Sequence, residues 1–517
     1  MAKKSMANSN KPAFNTQPTP AEIQHLIGLL NSNQLAQAES VAQKLISKHA
    51  SVFILHHVLS LALDGQQKFS QSVVSYKNAL KLQPNTPDLL FNLGIALTHI
   101  QQFDEAIAAY QKAIQIKPDF FEAYGNLGTV LQMQGQLIAA IESYQKGLTI
   151  NPQDARGYFN LGTALRDNGA LTEAVNSYKK AISLFPNYTD AHNNLGETLR
   201  DSGDMTSAVK CYQAALALNP NHPQANYNMA EFCYLAKRYL DAIPYFEASQ
   251  LDDWQERRLY CLYKAEKFEN FKTQRDALIQ RSKHTSPFLA TLSTHYSINF
   301  NEPDPYNFCK NGLDFVYRKS ISELVNTDLL QALLNDINTA DIAERKQGRL
   351  TNGQQSAGNL FKRSEATFQT LAGLIKQQFL AYKNHFIDAD CELIQSFPDE
   401  LEFTSSWYVK MQQGGHLSAH IHEIGWISGA VYLKMPQVNG LEGAFEYGTH
   451  GDDYPIISSD KSAVFPTAQI MPNVGDIVLF PSSLFHRTIP FSSSDNRICI
   501  AFDLKPAAHH MSDKKQK

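Results

Sequence analysis

The stretch Gly414 to Pro436, GGHLSAHIHEIGWISGAVYLKMP, places His420 and His422 at alternating positions in a segment that turns β-branched and aromatic. On a strand end both imidazoles leave the same face. A second stretch, Pro472 to Pro490, PNVGDIVLFPSSLFHRTIP, carries the apolar run IVLF, a Pro-Ser-Ser turn and then a lone His486. Two ligands from one strand and one from a distant strand is how a β-barrel closes three sides of a metal and leaves the rest open. Arg497 follows eleven residues after His486, at the start of the strand-like run RICIAFDL. An arginine there reaches back into the barrel and grips a dicarboxylate through a two-pronged, charge-assisted contact. The other reading of Arg497 is a salt bridge at the barrel mouth.

Working outward, further strand-like runs surround these motifs: CELIQSF, FTSSWYVKM, SGAVYLKM, GAFEYG and DIVLF. Short strands and turns at this density imply a sandwich or barrel. Two amphipathic helices are expected upstream, near 322 to 337 and 364 to 384. Between them the polar segment Gly348 to Phe361, GRLTNGQQSAGNLF, is expected to be a long loop. Residues 301 to 318 form a Pro- and aromatic-rich connector.

Before residue 255 the chain obeys a different rule. Leu93-Gly94, Leu127-Gly128, Leu161-Gly162 and Leu195-Gly196 recur every 34 residues, and Met229-Ala230 continues the series. Prolines at 84, 118, 152, 186 and 220 keep step, as do Ala106, Ala140, Ala174, Ala208 and Ala242, and the row Tyr110, Tyr144, Tyr178, Tyr212 and Phe246. Each unit is expected to be two short helices. The small residue lets the helices approach, the aromatic fills the next unit's groove and proline ends the second helix. This resembles the tetratricopeptide repeat. Weaker copies, with Tyr76, Ala79 and Ala38 in phase, extend it back to residue 17, giving about seven repeats. Residues 255 to about 290 look helical without the period, as a cap would.

An array of this kind presents a concave groove. Asn92, Asn126, Asn160, Asn194 and Asn228 precede the Leu-Gly positions and would form a ladder of amides suited to the backbone of an extended peptide. The alternative is that these amides brace neighbouring helices. Thr129, Arg166, Glu197, Arg200 and Glu231 alternate in charge, so a clamp for a C-terminal carboxylate is not indicated.

The C-terminal part looks like the iron(II) and 2-oxoglutarate-dependent oxygenases, in a bacterial branch carrying HxH, SGxxY, a small EGxxEFG-like strand and FPSxxxH-x10-R in this order. The matching residues are His420-Ile421-His422, Ser428-Gly429-Ala430-Val431-Tyr432, Glu442 to Gly448, Phe480 to His486, and Arg497. The resemblance implies iron bound by His420 and His486, and Arg497 holding the far carboxylate of 2-oxoglutarate. It also implies O2 as oxidant, ascorbate as a conceivable helper, and decarboxylation to succinate coupled to substrate hydroxylation. His422 stands where the superfamily usually has a carboxylate, and imidazole is itself a good iron ligand. Glu423 would point to the opposite face. Glu442 and Glu446 are framework candidates, and His416 and His450 outer or surface ones. Tyr432, Tyr408 and Trp407 are candidates for the co-substrate pocket wall.

The implied organisation is an α+β multidomain chain. A tail at 1–16 precedes a repeat array at 17–254. A helical cap and linker at 255–300 leads into a double-stranded β-helix (jelly-roll) domain with flanking helices at 301–507, and a tail at 508–517 follows. The expected function is an oxidoreductase, a dioxygenase acting on a protein or peptide held by the groove. The alternatives are a cupin-like metal dioxygenase that needs no 2-oxoglutarate, and a non-catalytic protein-binding scaffold. Formal net charge −4 gives no support for nucleic-acid binding. No stretch approaches the ~18 apolar residues that a span needs, and six scattered cysteines without a CxxC pair suit reduced thiols, so a cytoplasmic protein is expected.

Overall fold

The computed structural model describes residues 17–507 except 340–341, 343, 346–347, 357–358, 364, 424 and 458–464. Both expected tails lie outside the described residues. The chain forms two compact units, one up to Phe232 and one from Cys233.

The first unit is a helical superhelix. Seven helix pairs follow one another from Pro20–Asn31 with Leu35–Ile46 to Pro223–Leu235 with Tyr239–Ser249, the last pair spanning the unit boundary. The turn inside each pair places one residue in the left-handed region, and it recurs every 34 residues: Asn33, Gln67, Gln101, Gly135, Gly169, Gly203 and Lys237. Glycine adopts this backbone without strain; glutamine and lysine do not. The aromatic row behaves differently from expectation. A Cβ added to Gly94, Gly128 or Gly162 would lie 2.6, 2.7 or 2.8 Å from the ring of Tyr110, Tyr144 or Tyr178. Each ring therefore lies on the glycine of its own repeat, where the two helices of the pair leave room, and only its hydroxyl end reaches the next unit.

In the second unit the last repeat helix, Tyr239–Ser249, is followed by helices Trp254–Lys264, Phe268–Arg281 and Pro287–Phe300 and then by a β-roll. Its strands among the described residues are β1 (Tyr317–Ser320), β2 (Glu344–Arg345), β3 (Leu350–Ser356), β4 (Leu401–His420), β5 (Ile427–Lys434), β6 (Phe445–Gly448), β7 (Thr467–Ile470), β8 (Asp476–Pro481), β9 (Phe485–Thr488) and β10 (Arg497–Pro506). They pair in the order β1-β8-β5-β10-β4-β9-β6-β7, with β3 beside β4 and β2 beside β3. All pairings are antiparallel. The long β4 joins the two halves of the roll. Its first part pairs with β10 and its end with β9, and the bend falls at Gly414, whose φ is +74°.

Alternation along β10 divides the core. Ile498, Ile500, Phe502 and Leu504 face helices Thr327–Thr339 and Ala366–His385, within one cluster that includes Leu333, Ile375 and Phe379. Cys499 faces inward, with Val409, Met411, Tyr432, Phe445, Val478 and Phe480. Two sequence readings are corrected. The polar segment after Gly348 contains strand β3, held by backbone pairing to β4 along its length and to β2 at Gln355 and Ser356, so ladder hydrogen bonds rather than apolar side chains make it a strand. CELIQSF is not a strand but a short helix, Glu392–Gln395, burying Leu393 and Ile394. A brief apolar run does not tell the two apart.

Candidate functional site

β4 ends at His420, His422 follows in the next turn, and β9 carries His486 opposite His420 in the ladder. The strand pairing thus brings the two distant motifs to one point. One ring nitrogen from each of His420, His422 and His486 lies within 4.8 Å of the others. His420 and His486 are buried and His422 is partly so.

The back of each ring is held by an acceptor. His420 Nδ1 donates to the Ser418 carbonyl at 2.9 Å, and His486 Nδ1 to that of Leu484 at 3.3 Å. His422 Nδ1 lies 2.8 and 2.9 Å from the two oxygens of Asp503. Each acceptor fixes the proton on Nδ1, so every Nε2 presents a lone pair to the centre. His422 Nε2 and His486 Nε2 are 3.1 Å apart. With both rings in that form, two lone pairs facing at this distance repel unless a cation, a metal or a proton, lies between them. Burial first, then the neighbouring imidazoles, pushes His420 down to about 3 and His486 well below its ordinary value. Both rings therefore stay neutral at physiological pH, the form that ligates metal.

Asp503 is the residue that sequence reading missed. Burial alone would raise its carboxyl, but His422 and hydrogen bonds from Ser428 and Ser405 hold it below the usual range. Those hydroxyls donate at 2.7 and 2.8 Å. Trp407 stacks on His422, with centroids 5.6 Å apart. A signal was present: Asp503 lies six residues from Arg497, an even separation that puts both on one face of β10.

Arg497 is 2% exposed. Its Nε donates to the Gly443 carbonyl at 3.2 Å, Nη1 approaches Cys499 Sγ at 3.6 Å, and the guanidinium lies 5.0 Å from the Tyr432 ring centre. None of these is an anion, and among the described residues no carboxylate pairs with it. A buried guanidinium without a counter-charge is strongly unfavourable, so the donor set fits an anionic ligand. Phe445 and Phe480 touch the His486 ring and share the inner cluster with Tyr432 and Cys499. The histidines and Arg497 thus line one inner wall.

Other candidates fall elsewhere. Tyr408 is corrected: opposite Ile500 in the ladder, it packs in the outer cluster, facing away from the histidines. Glu423 pairs with Arg257 at 2.8 Å, Glu446 with Arg487, and Glu442 accepts from Ser492. His416 Nδ1 lies 3.1 Å from the Gly414 carbonyl, and His450 bonds His295. In the array, Asn126 and Asn194 bond the phenols of Tyr110 and Tyr178 in the preceding repeat. Asn228 is buried and bonds Asn193, Glu197 and Arg200, while Arg166 pairs with Glu197. Asn92 and Asn160 are half-buried on the same helix position. These contacts fit bracing between repeats.

Residues 405–503 match the family described as "Putative 2OG-Fe(II) oxygenase". Tetratricopeptide repeat models match 65–100, 96–135, 133–169, 162–200 and 193–255. No curated protein matches the chain. Among solved structures, one of MamA is 27% identical over 31% of this chain and 95% of that one, with TM-score 0.31. MamA from Desulfovibrio magneticus RS-1 is 23% identical over 32% and 95%, with TM-score 0.32. YrrB, described as a TPR protein with an unusual peptide-binding site, is 22% identical over 36% and 95%, with TM-score 0.32.

Proposed function

We propose that this chain, a tetratricopeptide array joined to a domain of the 2OG-Fe(II) oxygenase family, is an iron- and 2-oxoglutarate-dependent dioxygenase that hydroxylates a protein or peptide. The observation that carries the reading is the convergence of one ring nitrogen from each of three histidines within 4.8 Å, on the same inner wall as a buried arginine with no counter-charge among the described residues. His420, His422 and His486 would hold the metal, and Arg497 the distal carboxylate of the keto acid. When bound, iron and 2-oxoglutarate supply the oxidising chemistry. The chain's own part is orientation and shielding. Asp503 fixes the His422 tautomer and makes its Nε2 a better donor to a metal. Tyr432 gives the guanidinium a π face on which to rest. Phe445, Phe480 and Trp407 keep bulk water from the rings.

Tetratricopeptide repeats suggest a protein partner, and the substrate is accordingly read as a polypeptide side chain. No helix among the described residues is long and apolar enough to cross a membrane. The six cysteines are all free, which suits a reducing compartment.

Anaerobic addition of 2-oxoglutarate to the Fe(II)-loaded chain should produce a metal-to-ligand charge-transfer band. His486→Ala should lose the band with the metal, whereas Arg497→Met should keep the metal and lose the keto acid. Admitting oxygen with peptides from a cell lysate should release succinate above the peptide-free level. A wild-type protein that binds metal without the band would favour the 2-oxoglutarate-independent dioxygenase. One that binds neither would favour the scaffold.

A further inference from the structure

Gln355 lies on β3, opposite Val409 of β4, and Gln354 lies opposite Lys410. Residues opposite one another in an antiparallel ladder share a face. Val409 lies opposite Cys499, and Cys499 opposite Tyr432. A single row, Tyr432, Cys499, Val409 and Gln355, therefore crosses the inner wall. The neighbouring row confirms the alternation: Gln354 is exposed, and Lys410 reaches outward to the Ile337 carbonyl at 3.3 Å.

Gln355 is 1% exposed, and its Nε2 has no hydrogen-bond partner among the described residues. A buried amide donor left without an acceptor is destabilising, and native chains rarely keep one without a use. Along its row the wall is apolar except for the Cys499 sulfur and the Tyr432 hydroxyl, and both of those already take hydrogen bonds from Arg497. Along β10, the Gln355 row lies two residues from Arg497 and four from Asp503, about 7 Å and about 13 Å at the strand rise, and β3 is two strands or about 10 Å to the side of β10, so the Gln355 backbone is about 12 Å from that of Arg497, a gap that two long side chains and a carboxylate between them can close. The amide thus belongs to the arginine end of the wall rather than to the histidine end. A carboxylate has about four lone-pair sites and a guanidinium satisfies two of them.

We propose that Gln355 Nε2 donates to the distal carboxylate of 2-oxoglutarate, sharing that anion with Arg497 and helping to select a five-carbon diacid. The proposal rests on the oxygenase reading above and assigns a positioning residue outside the matched family segment.

The test is anaerobic calorimetry on the full chain loaded with Mn(II). The two ligands are 2-oxoglutarate and 2-oxobutyrate, the same keto acid without the distal carboxylate. Gln355→Met keeps the length and removes the donor, and Gln355→Glu is isosteric and repels the anion. Gln355→Met should weaken 2-oxoglutarate about tenfold and Gln355→Glu should weaken it more. Neither should change the affinity for 2-oxobutyrate or for Mn(II). Undiminished 2-oxoglutarate affinity in Gln355→Met, or in Gln355→Glu should the first variant not fold, overturns the assignment. Equal losses for both keto acids overturn it too, since the amide would then act at the metal end. If the wild type binds 2-oxoglutarate and only the Gln355 effect is missing, the oxygenase reading stands. If the metal-loaded wild type binds neither keto acid, that reading falls and takes the assignment with it.

Discussion

At the scale of the residue, the informative position is Asp503, because the proposed metal triad has an imidazole where a carboxylate would have supplied negative charge. The charge is not lost but moved outward by one hydrogen bond. Asp503 sits behind His422 at 2.8 Å, ionised despite its burial and held by two serine hydroxyls. An anion behind a ligating imidazole fixes its tautomer and makes its free nitrogen a stronger donor to metal. Asp503→Asn leaves the volume intact but can present an N–H to Nδ1, which would turn the lone pair away from the centre. Metal affinity should therefore fall about 10- to 100-fold, measured by competitive titration with a chelating dye. Affinity within a factor of two of wild type would show that His422 needs no partner.

At the scale of the element, the helix Trp254–Lys264 holds the turn that carries His422. Arg257 on that helix pairs with Glu423 at 2.8 Å and with Asp253 at 2.9 Å, and it lies over the Phe288 ring. Glu423 is next in sequence to His422, so the ion pair fixes the chain one residue beyond the candidate ligand. The bend at Gly414 sets where β4 leaves one partner strand for another, and the Arg257 pair sets where the chain goes after β4 ends. Replacing Arg257 by Met should cost about 1–2 kcal/mol, less than a fully buried pair because Glu423 keeps some solvent. The distinguishing effect is on the site: Mn(II) affinity should drop severalfold while the charge-transfer band, once metal is saturating, returns. A lower melting temperature with unchanged metal affinity would reduce Arg257 to a packing role.

Across the whole molecule, legibility followed from how locally each feature is determined. The repeat array was readable because a 34-residue stacking period imposes residue types at fixed spacing, as at Leu93-Gly94, Leu127-Gly128 and Leu161-Gly162; the left-handed turn shared by Gln67, Gln101 and Gly135 was not, since its residue type varies. The meeting of His420, His422 and His486 was readable because the strand-end HxH spacing and the turn before His486 bring them to one point. What failed depended on pairing and facing, which sequence alone does not set: the polar strand β3, the outward side of Tyr408, the own-repeat seat of Tyr110, and the role of Asp503. The least readable feature is a buried chain through the second unit. Asn299 Nδ2 donates to the Tyr263 hydroxyl at 2.7 Å, which donates to His295 Nδ1 at 2.7 Å, leaving His295 Nε2 to donate to His450 Nδ1 at 2.9 Å. Every acceptor is used only if His295 is neutral. Burial first, then His450 and Lys264, pushes it down to about 3. In the unfolded chain the same ring titrates near 6.5, so below that pH the unfolded state binds a proton that the folded state refuses. Stability of the second unit is thus full above about pH 6.5 and falls as pH drops toward 3, by up to about 1.4 kcal/mol per pH unit from this ring. Trp254, Trp407 and Trp426 are the chain's three tryptophans and all belong to this unit, so indole emission follows its urea unfolding without signal from the repeats. The urea midpoint should decline from pH 7 to pH 5, and His295→Phe, which keeps a flat ring against Phe465, should flatten that decline. An equal slope in both proteins would mean that His295 accepts its proton without leaving the fold.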